Sequence, residues 1–299
     1  MRFSWKNPAL LVVIIFIAIF LIPVLKKPDI SDSSKLRIVT TYYVPYELVH
    51  QIGGANVEVI NLTSGGVEPH DYEPSPADLA EITKSDLFIL NGAGLDHWAL
   101  DFIAKYPEVR SIMLSDEVKL LPTVNEDPHF WLDPLRVTSL VTVIARELSL
   151  IAPENETYFF AQAQSFQSQL TGLDQEFQNG LKNCQLNKIV VAHDAFGYLG
   201  ETYGFEVINI SGLSHDEEPS GKQLAEISEI VKTDNIKYIF YESASDSSLS
   251  DTIARETGAE LLELNPLETL TNEELNSGEN YVSIMRGNLL NLKIAMQCI

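Results

Sequence analysis

The chain has 299 residues, of which 45% are apolar, and its 42 acidic and 20 basic side chains give a formal net charge of −22. This apolar fraction excludes a disordered or fibrous chain, because it is enough to bury a core in two domains of ordinary size. The acidity excludes a nucleic-acid partner, since such proteins supply Lys and Arg to the phosphate backbone. We expect a monomer.

The first predicted element, within residues 1–34, is a membrane segment. The run Ala9–Leu25 carries no charge, and Arg2 and Lys6 precede it. At about 1.5 Å of helix rise per residue, this run would nearly cross a hydrocarbon core of about 30 Å. It is longer than the apolar part of a typical cleaved signal peptide. We therefore predict an uncleaved helical anchor, with a signal segment as the alternative, and the rest of the chain outside the cytoplasm.

The two cysteines, Cys184 and Cys298, are far from this apolar run. A lipid anchor needs a cysteine just after such a run, so the sequence predicts no lipoprotein cysteine. Two cysteines give neither a disulfide framework nor a metal-binding spacing. A single disulfide is possible outside the cytoplasm, and two separate thiols are the alternative.

After the anchor, apolar runs typical of strands alternate with amphipathic stretches typical of helices. Such alternation is typical of parallel sheets that are covered on both faces. We predict two α/β lobes, an N-terminal one at 35–133 and a C-terminal one at 185–299. The predicted strands are Leu36–Thr41, Val57–Leu62, Leu87–Asn91 and Ser111–Leu114 in the first lobe, and Lys188–Ala192, Phe205–Ile210, Tyr238–Tyr241 and Glu260–Leu264 in the second.

Between the lobes, residues 134–184 show a helical pattern that is interrupted at Pro153. Its second part, Glu154–Leu181, is unusually long for a globular helix and is rich in Gln. We predict a rigid backbone helix that connects the lobes. An ordinary helical hairpin packed on one lobe is the alternative.

Three of the six histidines are the candidate metal ligands. His70 and His129 follow the second and fourth predicted strands, and His193 follows the fifth. Ligands of open α/β sheets bind outside the carboxyl ends of strands, so two facing lobes would bring these side chains together in the cleft. Three neutral imidazoles suit Zn²⁺. The sequence therefore predicts a metal site in the inter-lobe cleft.

Carboxylates close to these histidines could accept the second imidazole N–H and orient the rings. The candidates are Asp71 or Glu68 for His70, Asp127 or Asp133 for His129, and Asp194 for His193. The remaining histidines, His50, His97 and His215, are assigned to structure or surface, although His215 lies in an acidic turn that could assist metal capture.

Six ordered motifs carry a resemblance that covers about residues 36–297. They are Glu68–Pro74, Asn91–Asp96, Asp127–Pro134, His193–Leu199, Glu218–Ser220 and Ile253–Ala259. With these motifs, the chain resembles the solute-binding proteins of zinc and manganese ABC transporters, the group called cluster A-I. The resemblance implies two α/β lobes, a backbone helix and one metal held by His70, His129 and His193. Histidine at the third position implies Zn²⁺, with Mn²⁺ as the alternative, and the resemblance implies an ABC permease as partner.

The fourth ligand implied by the resemblance is a carboxylate, but the matching position here is Asn265. We predict Asn265 as the fourth ligand, and because an amide oxygen is uncharged, we expect a weaker and more open site. Water, Glu242 or Glu263 could fill the position instead. On this hypothesis, Asn265→Asp would tighten zinc binding.

Two other functions are alternatives. A zinc hydrolase or hydratase also uses three histidines and a water, although the sequence has no HExxH motif and no nucleophile elbow. A metal-binding surface adhesin could have the same fold. The sequence favours a protein that captures metal outside the cytoplasm and is not an enzyme.

Overall fold

The first sheet has four parallel strands, β1 (Leu36–Thr40), β2 (Val57–Asn61), β3 (Leu87–Leu90) and β4 (Ser111–Met113), in the order β2-β1-β3-β4. The structure, a computed structural model, describes residues 35–63, 65–123, 126–213, 219–243 and 247–299. The predicted anchor at 1–34 lies outside the described residues. The elements of this region are β1 (Leu36–Thr40), α1 (Tyr43–Gly53), β2 (Val57–Asn61), α2 (Pro76–Thr83), β3 (Leu87–Leu90), α3 (His97–Lys105) and β4 (Ser111–Met113).

Both faces of this sheet are covered, as the near-continuous apolar strands predict. In β1, Ile38 packs into the large central core, whereas its neighbour Val39 packs into a smaller cluster with Phe88 and Trp98. All four side chains of β3 are buried. Successive side chains of a strand point to opposite faces, so this division places helices on both sides of the sheet.

Two long helices follow, α4 (Pro134–Ile151) and α5 (Glu156–Gly180). Asp133 caps α4 by accepting the backbone N–H of Leu135, and proline is well placed in the first turn because it needs no partner for an N–H. The break falls at a single helical turn that begins at Pro153, as predicted. Short turns of the same kind occur at Gly54–Asn56, Leu114–Glu117 and Phe130–Leu132.

The helices α4 and α5 pack against each other, and α5 also contacts α1. The helix α5 also contacts the helix Tyr281–Ala295 of the second half, so the pair is not a hairpin packed on one lobe, and the long helix that the connector prediction required is present. The exact boundaries 35–133, 134–184 and 185–299 remain a prediction.

The last part of the chain again alternates strands and helices. Strands β5 and β6 form one parallel pair, β7 and β8 form another, and β5 also lies beside β7. All eight predicted strands are present, with each end within one residue of the predicted one. The elements are β5 (Lys188–Val191), α6 (Gly197–Tyr203), β6 (Glu206–Asn209), α7 (Gly221–Thr233), β7 (Tyr238–Tyr241), α8 (Ser248–Thr257), β8 (Glu260–Glu263), α9 (Asn272–Ser277) and α10 (Tyr281–Ala295).

A single apolar core joins the two strand-containing halves and the long helices. It includes Ile38 from the first sheet, Phe159 from α5, Phe196 just before α6 and Leu292 from α10. Residues 35–299 accordingly form one compact unit. The fold is α/β with parallel sheets, as the sequence predicted.

The two cysteines are bonded to each other, which decides the question that the sequence left open. Cys298 lies just after α10 and Cys184 just before β5. Backbone hydrogen bonds run beside the disulfide, from the N–H of Ile299 to the carbonyl of Asn183 and from the N–H of Leu186 to the carbonyl of Met296, each 3.1 Å long. The end of the chain is therefore fixed next to the start of the second half.

None of the helices within 35–299, in the part that the structure describes, has both the length and the apolar character needed to cross a membrane.

Candidate metal centre

Four side chains meet at the carboxyl ends of the strands. They are His70 from the β2–α2 loop, His129 from the segment after β4, His193 from the β5–α6 loop and Glu268 from the segment after β8, and their ligand atoms all lie within 4.8 Å of one another. The structure thus brings together the three histidines that the sequence selected. It adds one carboxylate that the sequence did not select.

The spacing of the four ligand atoms suits a tetrahedral metal. One carboxylate oxygen of Glu268, Oε1, lies 2.9 Å from Nε2 of His129, 3.2 Å from Nε2 of His193 and 3.5 Å from Nε2 of His70. The Nε2 atoms of His70 and His129 are 3.3 Å apart. Metal–ligand bonds of about 2.0 Å in a tetrahedron place the ligands about 3.3 Å from one another. These four distances are close to that spacing.

The site is closed on most sides. His129 and His193 are fully buried, and the side chain of Glu268 is only 3% exposed. The side chain of His70 is 9% exposed, which makes it the most accessible of the four. The access side of the site is therefore at His70.

Asp127 fixes the ring of His129. Its Oδ1 atom accepts the backbone N–H of His129 at 2.9 Å and lies 2.8 Å from the ring Nδ1. A carboxylate can only accept here, so Nδ1 carries the hydrogen and Nε2 is turned towards the site. Burial lowers the pKa of His129, but the hydrogen bonds and charges of Asp127 and Glu268 outweigh burial, so its pKa is raised.

Asp127 was one of the two carboxylates predicted for this role. The other, Asp133, is used elsewhere, since it caps α4 and pairs with Arg136 and Thr202. Of the two predicted carboxylates, Asp127 therefore contacts both the amide and the ring of His129.

Glu242 fixes the ring of His193. Its Oε1 atom lies 2.5 Å from Nδ1, and the residue is only 4% exposed. Burial lowers the pKa of His193, but the negative charges of Glu242 and Glu268 raise it well above the usual value. The prediction named Asp194 for this role; the structure gives the Nδ1 contact to Glu242, which directly follows the neighbouring strand β7.

Glu268 is ionised in this environment. Burial raises the pKa of a carboxyl, but the positive charge of His193 and the hydrogen bonds from His129, His193 and His70 hold the pKa of Glu268 well below its usual range. The site therefore offers three imidazole nitrogens and one carboxylate oxygen, a donor set suited to zinc.

Asn265, the predicted fourth ligand, uses its amide in other contacts. Its Oδ1 atom accepts the backbone N–H of Leu267 at 2.8 Å, and its Nδ2 donates to Oε1 of Glu274 at 2.8 Å. Both ends of the amide are thus engaged within the protein. Glu268 stands three positions later, and a search for carboxylates after the eighth strand, rather than a match to one motif position, could have found it.

The other histidines are elsewhere. His50 lies in α1, where its exposed ring stacks on Tyr46, and His97 begins α3, as the sequence indicated. His215 lies outside the described residues.

The two sets of parallel strands and the buried group of three histidines and a glutamate define an α/β protein with a candidate metal centre. Residues 38–295 match the family described as ZnuA, zinc-uptake complex component A, periplasmic, and the chain belongs to this family.

Relatives in curated and structural collections agree with this assignment. The zinc-binding lipoprotein AdcA of Streptococcus pneumoniae is 37% identical over 280 residues, which are 87% of this chain and 56% of the lipoprotein. This chain therefore spans little more than half of that relative. The crystal structure of the Zn(II)-bound ZnuA-like domain of AdcA superimposes with a TM-score of 0.79 and 38% identity, covering 88% of this chain and 99% of the domain.

A third relative is the laminin-binding protein Lmb of Streptococcus agalactiae, described as a bifunctional protein with adhesin and metal-transporting activity. Its structure has a TM-score of 0.81 to this chain and 31% identity, and the match covers 87% of this chain and 99% of Lmb.

These relationships correct the predicted localisation. AdcA is named a lipoprotein, whereas we predicted a helical anchor and no lipoprotein cysteine. By this comparison, the prediction of a membrane helix in place of a lipid is wrong. The physical reason for the error is that an uncharged run of apolar residues has the same appearance in a targeting segment and in a membrane-spanning helix.

Proposed function

We propose that this protein captures Zn²⁺ outside the cytoplasm and delivers it to an ABC permease, with His70, His129, His193 and Glu268 as the ligands. The observation that carries the proposal is the group of three Nε2 atoms and one carboxylate oxygen within 4.8 Å. The family supports this proposal, because it is described as component A of a zinc-uptake complex.

The donor set favours zinc over manganese. Imidazole nitrogen suits Zn²⁺, whereas carboxylates, carbonyls and water suit Mn²⁺. Three of the four ligand atoms here are imidazole nitrogens. Glu268 supplies a negative charge next to the metal, so the site does not depend on the general acidity of the surface for its attraction.

The same four ligands favour binding over catalysis. A catalytic zinc site keeps one position for water or substrate, whereas a site with four protein ligands leaves none in a tetrahedral geometry. The hydrolase or hydratase alternative relied on an open position next to Asn265. Since Glu268 is within 3.5 Å of all three Nε2 atoms, it can occupy that position.

Delivery requires that the bound metal can leave again. His70 is the most exposed of the four proposed ligands. It lies in the β2–α2 loop, in which Gly65 and Gly66 both have positive φ. Displacement of this loop would release one ligand and open the site, while the buried ligands His129 and His193 remain in place. We propose that transfer to the permease begins at His70.

Adhesion is a second candidate function, because Lmb has the same fold and is described as having adhesin activity. The test is the binding of immobilised laminin to the zinc-loaded protein. Binding that saturates at the same level with and without zinc would support an adhesin role separate from metal capture.

The main proposal is tested by native mass spectrometry of the purified protein with Zn²⁺ and with Mn²⁺. We expect one zinc ion per chain, and the loss of tight binding in His129→Ala and Glu268→Gln. His50→Ala is the matched control, because it removes a histidine far from the group and leaves zinc binding unchanged. Retention of one tightly bound zinc after loss of all three site histidines would overturn the assignment. The same spectra test the predicted monomer.

A further inference from the structure

The segment that presents Glu268 is irregular and has an unusual backbone. It leaves β8 at Glu263 and reaches α9 at Asn272. Leu267, the residue before Glu268, has φ of +63°, in the left-handed region that side chains other than glycine adopt only at an energetic cost. The direction of the Glu268 side chain depends on this backbone conformation. Contacts from other residues must therefore stabilise it.

Asn265 makes the contacts that could do so. Its Oδ1 accepts the N–H of Leu267, the residue with the positive φ, at 2.8 Å. Its backbone is fixed at the same time by Asn288 in α10, whose Oδ1 accepts the N–H of Asn265 at 2.9 Å and whose Nδ2 donates to its carbonyl at 2.7 Å. Asn265 is 6% exposed, so these bonds are protected from competing water.

The other end of the Asn265 amide reaches across the segment. Its Nδ2 donates to Oε1 of Glu274, while Oε2 of Glu274 accepts the N–H of Thr271 in the capping box of α9. The bond from Asn265 to Glu274 therefore closes a loop that contains Glu268. Trp131 adds a further support from the His129 segment, because its Nε1 donates to the carbonyl of Pro266 at 2.7 Å.

We infer that Asn265 is a positioning residue for the carboxylate ligand Glu268: it holds the 265–271 segment in the one conformation that places Oε1 among the three Nε2 atoms. This inference rests on the proposed zinc-binding function. It explains why an amide, and not a carboxylate, stands at this position, since a carboxylate here would face Glu274 at 2.8 Å without a donor between them.

A positioning role and a ligand role for Asn265 predict opposite effects of Asn265→Asp on zinc affinity. If Asn265 bound the metal itself, Asn265→Asp would add a charge to the metal and tighten zinc binding. If Asn265 positions Glu268, Asn265→Asp repels Glu274 and weakens zinc binding by about 10- to 100-fold, the range observed when a group that orients a metal ligand is lost. Zinc affinity measured by competition with a chelating dye separates the two.

A second substitution tests whether the bond to Glu274 is the cause. In the Asn265→Asp/Glu274→Gln double variant, the amide of residue 274 can donate to residue 265 while its oxygen accepts from Thr271, and Gln is as suitable as Glu in a capping box. We expect zinc affinity within about twofold of the original protein. If the double variant recovers its melting temperature but not its affinity, the inference is wrong.

A third measurement tests whether Asn265 acts through Glu268. In a Glu268→Gln background, Asn265→Asp should weaken zinc binding by no more than about twofold, because the ligand that it positions is already lost. A full additional loss of affinity in that background would overturn the inference and leave Asn265 as a general stabiliser.

Co²⁺ absorption gives a readout that stability does not affect. The visible absorption bands of Co²⁺ depend on its ligands and geometry, so replacement of the Glu268 carboxylate by water changes the spectrum. We expect this change in Asn265→Asp and its reversal in the double variant; an unchanged spectrum in Asn265→Asp counts against the inference.

Asn187→Asp is the control, since it adds the same charge at the amino end of β5, whereas His193 follows the carboxyl end. We expect this control to keep the original affinity and the original Co²⁺ spectrum. If the original protein itself binds no zinc, the proposed function fails rather than this inference.

Discussion

The Nδ1 atom of His193 lies 2.5 Å from a carboxylate oxygen of Glu242, and both side chains are buried. Because the two residues are 49 positions apart in the sequence and follow neighbouring strands, the contact depends on β5 lying beside β7. Glu242 thereby decides which nitrogen of His193 faces the metal.

From this contact, we expect Glu242→Gln to weaken zinc binding by about 10- to 100-fold, because Gln supplies no charge to hold the imidazole in the correct orientation. A competition titration with a chelating dye measures the change. Glu263→Gln is a suitable control, because Glu263 ends the next strand, β8, and is not among the four grouped ligands. Equal affinities in the two variants would contradict this role for Glu242.

Zinc binding should release protons near neutral pH. The pKa values of His193 and His129 are raised in the metal-free protein, since the carboxylates around each ring outweigh its burial. Zinc binds only the deprotonated rings, so it must displace these protons. Because both pKa values lie above the ordinary histidine value of about 6.5, we expect the apparent zinc affinity to keep increasing as the pH rises past 6.5. Calorimetry in buffers of different ionisation enthalpy counts the protons, and a heat independent of buffer would be the contrary result.

The stability of the metal-free protein should change with pH in the opposite direction. A raised histidine pKa stabilises the folded state fully below the unfolded-state pKa of about 6.5, and this contribution is lost as the pH rises through the folded-state pKa. We therefore expect the melting temperature of the metal-free protein to fall as the solution is made alkaline, while the increase caused by zinc becomes larger. Glu242→Gln should make the melting temperature of the metal-free protein depend less on pH. Melting curves with and without zinc at several pH values test both.

The disulfide between Cys184 and Cys298 should stabilise the fold without affecting the metal. It closes a segment with a sequence separation of 114 residues, which includes β5 to β8. We expect the Cys184→Ser/Cys298→Ser variant to lose about 2 to 5 kcal/mol of unfolding free energy, with zinc affinity unchanged. Urea denaturation measures the loss. A reductant should destabilise the original protein and have no effect on the variant.

The bond between Gly66 and Thr269 should slow the release of zinc. The N–H of Gly66 donates to Oγ1 of Thr269 at 3.1 Å and so joins the loop of His70 to the segment of Glu268. Thr269→Val removes the acceptor with little change in shape. We expect zinc to dissociate several-fold faster, measured by stopped-flow mixing with a chelator, consistent with the loss of about 1 kcal/mol for one hydrogen bond. Thr83→Val, on the exposed end of α2, should leave the rate unchanged.

The sequence predicted the strands and three of the four grouped ligands because those features follow simple spacing rules. Apolar runs mark parallel strands, and His70, His129 and His193 each follow one of them. Glu268 also follows a strand, β8, but Asn265 lies in the same segment, and spacing alone does not show which of the two side chains reaches the site. Their contacts depend on the left-handed backbone of Leu267 and on the bond from Asn265 to Glu274.

The N-terminal segment shows a different limit. Hydropathy alone measures how well a segment partitions into a membrane, and it carries no information about how the mature protein is attached there. Glu242 shows a third limit of prediction from sequence, because its partner His193 is distant along the chain. Only the packing of β5 beside β7 brings the two residues together.

The core that runs from Ile38 through Phe159 to Leu292 opposes rotation of the two halves against each other. Rotation of the two halves as rigid bodies would expose this shared apolar interior to water, at a cost that grows with the area uncovered. Movement of one surface loop exposes almost none of it. If metal enters and leaves through the His70 loop, as proposed, we expect the apolar interior to remain inaccessible to proteases throughout the exchange.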